Sequence, residues 1–278
     1  MLSQMRFILP AAALFLLAAQ EEKVKLELKA RKGDAYTTAV TESTDGKVQV
    51  AGQEFPIKEK EVLKYEDEVL EVEGNEATRV RRKVVEWTKA AQEDPEAPAE
   101  KQPRLLQGKT IVLKKNGDKT EYEGVEGIGA SELKKHQLRA DAFLTNLPKE
   151  AVGVGHEWKL DEKRLLEEFN EGPDEGPVEF KSARGGAKLE KLEDHGGVRC
   201  GVIAVDVAGE GQIKEQMDVK LVFKMKVRIT LALESGRILT MKGSGTGDMT
   251  GEVAALGGEK AKLSGTFAFA LETETLHK

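Results

Sequence analysis

Apolar and polar residues alternate one by one along most of the chain, and the clearest case is Val219–Leu233. Leu221, Phe223, Met225, Val227, Ile229, Leu231 and Leu233 share one parity, and Lys220, Lys224, Lys226, Arg228 and Thr230 share the other. Val222 and Ala232 are the exceptions. A helix would mix these two sets; a strand separates them. At roughly 3.3 Å per residue such a strand extends about 50 Å, so the sheet that holds it is expected to curve or twist strongly. A turn at Glu234-Ser235-Gly236 and a strand from Arg237 follow. The last segment repeats the alternation, with Leu263, Gly265, Phe267, Phe269 and Leu271 against Ser264, Thr266, Ala268 and Ala270.

Earlier strands are predicted over 23–29, 35–43, 64–72 and 77–88, the last two around Gly74-Asn75. Residues 109–115 and 119–124 flank Asn116-Gly117, a strong hairpin signal. Residues 186–193 and 197–208 form another pair around His195-Gly196. Two stretches read as helix. From an N-cap at Ser131, Leu133, Ala140, Phe143, Leu144 and Leu147 follow helical spacing until Pro148, although His136 and Gln137 are polar on that face. Asp161–Asn170 is a shorter helix with Leu165, Leu166 and Phe169 on one side. Residues 92–107 carry three prolines and many charges and read as a loop; 171–177 are a second break. The expected fold is mainly β, at the α+β border: a curved antiparallel sheet or half-barrel with one medium and one short helix packed on it. Most connections are too short for a parallel sheet.

The N-terminus departs from this pattern. Arg6 precedes an apolar run from Phe7 to Ala19, shorter than the roughly 20 residues that span a bilayer. A positive start, a short apolar run and small residues describe a secretory signal peptide over 1–19. Residues 20–278 are then a single β-rich domain, or two halves over 20–125 and 126–278, exported to the periplasm or the exterior and not membrane-spanning after cleavage. A net charge of −6 argues against nucleic acid as a partner. One cysteine excludes an intrachain disulfide and a cysteine-built metal site, and four scattered histidines leave little room for a histidine-built one. No cofactor is expected.

Leu147-Pro148 followed by Val152-Gly153-Val154-Gly155-His156-Glu157-Trp158, together with Glu234-Ser235-Gly236-Arg237 between two long strands, resembles a family of uncharacterised bacterial exported β-rich proteins. More remotely the layout is similar to the half-barrels of periplasmic lipoprotein carriers. The resemblance covers most of the chain in layout and about a dozen residues in motif. It implies a fold and no catalytic residues.

His156-Glu157 begins like a zinc-protease helix, but Leu160 stands where the second histidine belongs. Gly243-Ser244-Gly245-Thr246-Gly247 lacks the following Lys-Ser/Thr and helix of a phosphate loop, and reads as a strand bend or bulge. Cys200 shares its parity with Val198, Val202 and Ala204, as a buried, inert thiol would. Acidic clusters such as Glu66-Asp67-Glu68 carry little information among 49 acids. Arg79, Arg81, Arg82 and Lys83 are either an anion-binding patch or, the better fit, the charged face of a strand whose apolar positions are Val80, Val84 and Val85.

The expected function is therefore non-enzymatic: a cell-envelope binding or carrier-like module for a lipid or other hydrophobic ligand, or for an envelope protein. A curved sheet capped by an apolar helix leaves a groove, with Phe143, Trp158, Phe223, Phe267 and Phe269 as its candidate lining. The competing classes are a structural or interaction protein without a small ligand and, third, a secreted enzyme.

Overall fold

A computed structural model describes residues 22–91, 100–117, 119–129, 132–133, 135–138, 143–144, 146–170, 178–213, 218–254 and 260–277. Residues 1–19, read as a signal peptide, lie outside them. The strands, in chain order, are β1 (Ala35–Val50), β2 (Gln53–Glu73), β3 (Glu76–Ala91), β4 (Glu100–Pro103), β5 (Thr110–Asn116), β6 (Lys119–Glu123) and β7 (Glu157–Lys159). After helix α1 (Glu162–Asn170) come β8 (Val178–His195), β9 (Val198–Ile213), β10 (Asp218–Ala232), β11 (Arg237–Ala254) and β12 (Lys260–His277).

All of these strands join one antiparallel sheet in the order β6-β5-β3-β2-β1-β12-β11-β10-β9-β8-β7, with β4 on β3. The order follows from short hairpins. β1 to β6 step outward from the middle to one edge, and β7 to β12 step inward from the other edge. The two series meet where β1 pairs with β12, from Tyr36↔His277 to Val50↔Leu263. The turns are those the sequence signals: Gly74, Gly117, Gly196 and Gly236 all have positive φ, which glycine adopts without a Cβ penalty.

Because β6 and β7 lie at opposite edges, the connection between them must cross a whole face of the sheet. Val125, Ile128, Leu133 and Leu138 pack on the β2–β3–β5 flank, against Leu63, Val84, Trp87 and Leu113. Phe143, Leu144, Leu147 and Val152 pack on the β8–β10 flank, against Leu189, Ile203, Val205 and Ile229. α1 adds Leu165 to the second cluster. Its N-cap is Asp161, whose Oδ1 accepts from the amides of Lys163 (3.0 Å) and Arg164 (3.1 Å). The covered side is called the inner face below. The parity read for β10 holds: Leu221, Phe223, Met225, Val227, Ile229 and Leu231 are buried on that face, while Lys224, Lys226 and Arg228 point outward.

Several expectations need correction. The medium helix over 131–148 is not confirmed. Ser131 and Ala140 lie outside the described residues, and the amide of His136 bonds the Leu133 carbonyl at 2.9 Å, an i→i−3 turn bond. The physical reason is span: the same segment serves both flanks, and a helix rises only about 1.5 Å per residue. Residues 23–29 are not a strand of the sheet, since both edges of β1 are already taken by β2 and β12. The segment runs across hairpin ends, with Val24 bridging Val152, the Lys29 amide bonding the Gly236 carbonyl (3.0 Å) and the Ala30 amide the Asn75 carbonyl (2.9 Å). Within the proline-rich 92–107, Glu100–Pro103 return to the sheet as β4, and 92–99 lie outside the described residues. Gly243, Gly245 and Gly247 make no bulge: β11 keeps register with both neighbours through them. They leave room instead, because a Cβ on Gly245 or Gly247 would collide with the ring of Phe269 or Phe267 lying over it from β12.

Candidate functional site

The inner face is sealed on both flanks and open between them. There lies a cavity of about 450 Å³. Its floor is Tyr36, Thr38 and Val40 of β1 with Thr273 and Thr275 of β12; its walls are Tyr65 and Arg82 on one side and Ile238 and Met241 on the other. Gln137 and Leu138 of the crossing connection, and Leu28–Ala30 of the N-terminal segment, close over it. Its lining mixes apolar residues such as Val40, Ile238 and Met241 with hydroxyl-bearing ones such as Thr38 and Thr273 and charged ones such as Arg82 and Arg237.

One wall is a buried polar cluster. Asp67 on β2 and Arg82 on β3 are direct cross-strand partners and are 4% and 7% exposed. Arg82 donates to both carboxylate oxygens, Nε to Oδ1 at 2.8 Å and Nη2 to Oδ2 at 2.7 Å, the bidentate geometry that makes a guanidinium–carboxylate pair strong. The guanidinium carbon stands 3.8 Å from the centre of the Tyr65 ring, a cation–π contact. Burial opposes the charge on Arg82, but Asp67 outweighs it and raises its pKa. Burial pushes the Tyr36 and Tyr65 hydroxyls up, so both stay protonated donors at neutral pH.

His136 completes the cluster and is fully buried. Its Nδ1 lies 3.4 Å from Nη1 of Arg82. A guanidinium only donates, so Nδ1 accepts and the proton sits on Nε2. Nε2 is buried with no hydrogen-bond partner among the described residues. The ring stands edge-on to Trp87, centroids 5.0 Å apart. Burial, then the positive charges of Arg82 and Lys135, push its pKa down to about 3, so it is neutral. Trp87 Nε1 donates to Glu61, whose other oxygen accepts from Lys135 at 2.8 Å. Burial raises the Glu61 pKa, but the Lys135 ammonium outweighs it and the net shift is downward.

The charged run Arg79–Lys83 thus splits by parity. Arg79 pairs with Glu71 and Glu123, and Arg81 with Glu68, on the outer face. Arg82 points inward. That corrects the reading of the run as one solvated face: Val80, Arg82 and Val84 share the apolar parity, as do Tyr65, Asp67 and Val69 on β2. An ionic residue in step with an apolar stripe was the available signal.

The five aromatic residues read as groove lining are placed as follows. Phe143 and Phe223 are buried in the β8–β10 flank, where Phe223 meets Phe169 of α1 edge-on at 5.1 Å. Trp158 is half-buried against the same cluster and stacks on His156 at 6.2 Å. Phe267 and Phe269 are half-buried, 6.1 Å apart, over the β11 glycines. None of the five lines the cavity itself; Phe269 follows Leu271, which does, along the same face of β12. Cys200 is fully buried, its Sγ donating to the Val198 carbonyl at 3.2 Å, and burial pushes its pKa up. Among the described residues no group of three or more His, Cys, Asp or Glu could hold a metal ion, and no helix is long and apolar enough to cross a membrane.

No family model and no curated protein matches the chain. Solved structures with some likeness include DynF of the dynemicin biosynthesis pathway of Micromonospora chersina. It is 10% identical, with 90% of this chain and 85% of that chain covered and a TM-score of 0.19. A loop L8 deletion mutant of the outer membrane protein OmpT of Vibrio cholerae is 8% identical, with 87% and 100% covered and a TM-score of 0.20. A DUF1329 family protein from Desulfovibrio piger is 9% identical, with 88% and 84% covered and a TM-score of 0.11. Similarity at this level identifies neither family nor function, and the site speaks through its own geometry.

Proposed function

We propose that this protein is a non-enzymatic binding module of the cell envelope, exported by its N-terminal segment, which holds a hydrophobic ligand on the inner face of a half-barrel sheet. The observation that carries this reading is the 450 Å³ cavity left between two well-sealed flanks. A pocket of that size, with one apolar wall and one wall of placed polar groups, is what small-molecule sites look like. Export rests on Arg6 and the apolar run Phe7–Ala19. Binding without catalysis fits the state of the polar groups: Arg82 and Asp67 satisfy each other, Cys200 is buried, and His136 is held neutral inside the cluster.

Native mass spectrometry of the protein purified from its own source tests the proposal. The expected result is a co-purifying small molecule that solvent extraction removes and that Thr273→Phe, which fills the cavity floor, excludes. A bare polypeptide mass, together with no uptake of an apolar fluorescent probe, would overturn the reading in favour of a scaffold without a small ligand.

A further inference from the structure

The charges around the cavity are paired. Among the described residues four cations line it: Lys29, Arg82, Lys115 and Arg237. Each is already matched by a carboxylate: Lys29 with Glu27 (2.6 Å), Arg82 with Asp67 (2.7 Å), Lys115 with Glu76, and Arg237 with Asp34. An anionic group entering here would meet cations already neutralised and would lie beside their carboxylates, at a like-charge cost. What the cavity offers instead is uncharged polar groups: Thr273, Asn75 and Gln137, beside the Thr38 and Thr275 hydroxyls, which lie 3.4 Å from each other. These match an uncharged head that carries hydroxyls.

An apolar stripe of β12 leads away from the cavity on the same face of the sheet. Leu271 and Met241 belong to its wall, and along the same face of β12 follow Phe269, Phe267 and, past Gly265, Leu263. Gly243, Gly245 and Gly247 on β11 keep this track low, since they add no side chain beside the rings. At its far end Val48 of β1 pairs with Phe55 of β2, which is 49% exposed. From Leu271 to Leu263 the track is about 26 Å long at 3.3 Å per residue. One acyl chain reaches about 15 Å, half of the roughly 30 Å hydrocarbon core of a bilayer. A single chain laid along β12 therefore fits within the length of the track.

We infer that the ligand is a single-chain amphiphile with an uncharged, hydroxyl-bearing head, of the monoacylglycerol class, bound with its head under Gln137 and its tail over Phe269 and Phe267. The inference rests on the binding function proposed above and specifies its ligand. Equilibrium dialysis of the purified, delipidated protein at pH 8 tests it, with radiolabelled 1-monooleoylglycerol, oleate and lysophosphatidic acid as the probes. Monooleoylglycerol is expected to bind about tenfold tighter than either anion, and Thr273→Phe to abolish its binding. Glu76→Gln, which releases Lys115 at the exposed rim, is expected to shift the preference at least about threefold toward oleate. Anions that bind as tightly as monooleoylglycerol, or tighter, would overturn the uncharged-head inference and leave the binding function standing. Failure of all three probes to bind would overturn both.

Discussion

The two flanks of the inner face are closed by opposite means. On the β8–β10 side the seal is hydrocarbon: Leu165, Leu189, Ile203 and Ile229 are fully buried with no ionic group among them. On the β2–β3 side Trp87, Ile111 and Leu113 are as deeply buried, yet the Asp67–Arg82 pair and His136 lie next to them. A hydrocarbon seal gains stability from each buried group. A buried ion pair gains little over apolar residues of the same shape and is costly to break. What the ionic flank adds is placement, since it fixes a guanidinium and the Tyr65 ring as one wall of the cavity. The apolar flank stabilises the sheet, and the polar flank fixes one wall of the cavity.

The sharpest way to break this contrast is to leave one charge alone on each side. Asp67→Ala strands Arg82 and is expected to cost about 3–5 kcal/mol. Ile229→Asp puts an unpaired carboxylate in the hydrocarbon seal and is expected to cost a similar several kcal/mol. The flanks should part company in the double variant Asp67→Leu/Arg82→Met, which removes both charges and is expected to recover most of the loss in urea melts. If the double variant is as unstable as Asp67→Ala, the pair contributes more than placement.

A smaller effect comes from pH. The native pKa of His136 is depressed to about 3, whereas the unfolded residue titrates near 6.5. The unfolded chain therefore takes up this proton first as pH falls. The contribution is fully present above pH 6.5 and is lost as pH drops toward 3, at up to about 1.4 kcal/mol per pH unit. Between pH 6.5 and 5, where carboxylates contribute least, the wild-type protein should lose stability and His136→Leu should show a flatter slope. An identical slope in the variant would mean that His136 is solvated. Gly236→Ala should cost about 1–3 kcal/mol, because φ is +66° there and a Cβ would press on the backbone of Glu27 and Lys29. Outside both seals, Arg228→Asp breaks an exposed pair with Glu190 and should cost under about 1 kcal/mol.

The hairpins around Gly74, Gly117, Gly196 and Gly236 and the inward parity of β10 were legible because both are local: period-two alternation and a glycine at those turns decide them. The short helix was legible for the same reason, from Asp161 through Leu165, Leu166 and Phe169. The crossing connection was not. Leu133, Phe143 and Leu147 fit a helix by spacing, and only the sheet order reveals that they serve opposite flanks. The cavity was equally hidden, since Thr38, Tyr65, Arg82, Met241 and Thr273 come together through pairings between residues far apart in the chain. Arg82 and Asp67 lay in between: their parity with neighbouring valines and tyrosine was readable, but composition favoured a solvated strand face.

The central claim is that the inner face is sealed at its flanks and open at its centre. Single cysteines placed in a Cys200→Ala background test it most directly, through their maleimide labelling rates in the delipidated native protein. Thr273→Cys, on the cavity floor, is expected to label at a rate close to that of the unfolded chain, and Val205→Cys, under the hydrocarbon seal, to be protected until unfolding. Equal protection at both positions would mean that the centre of the inner face is filled, and the binding account would fail.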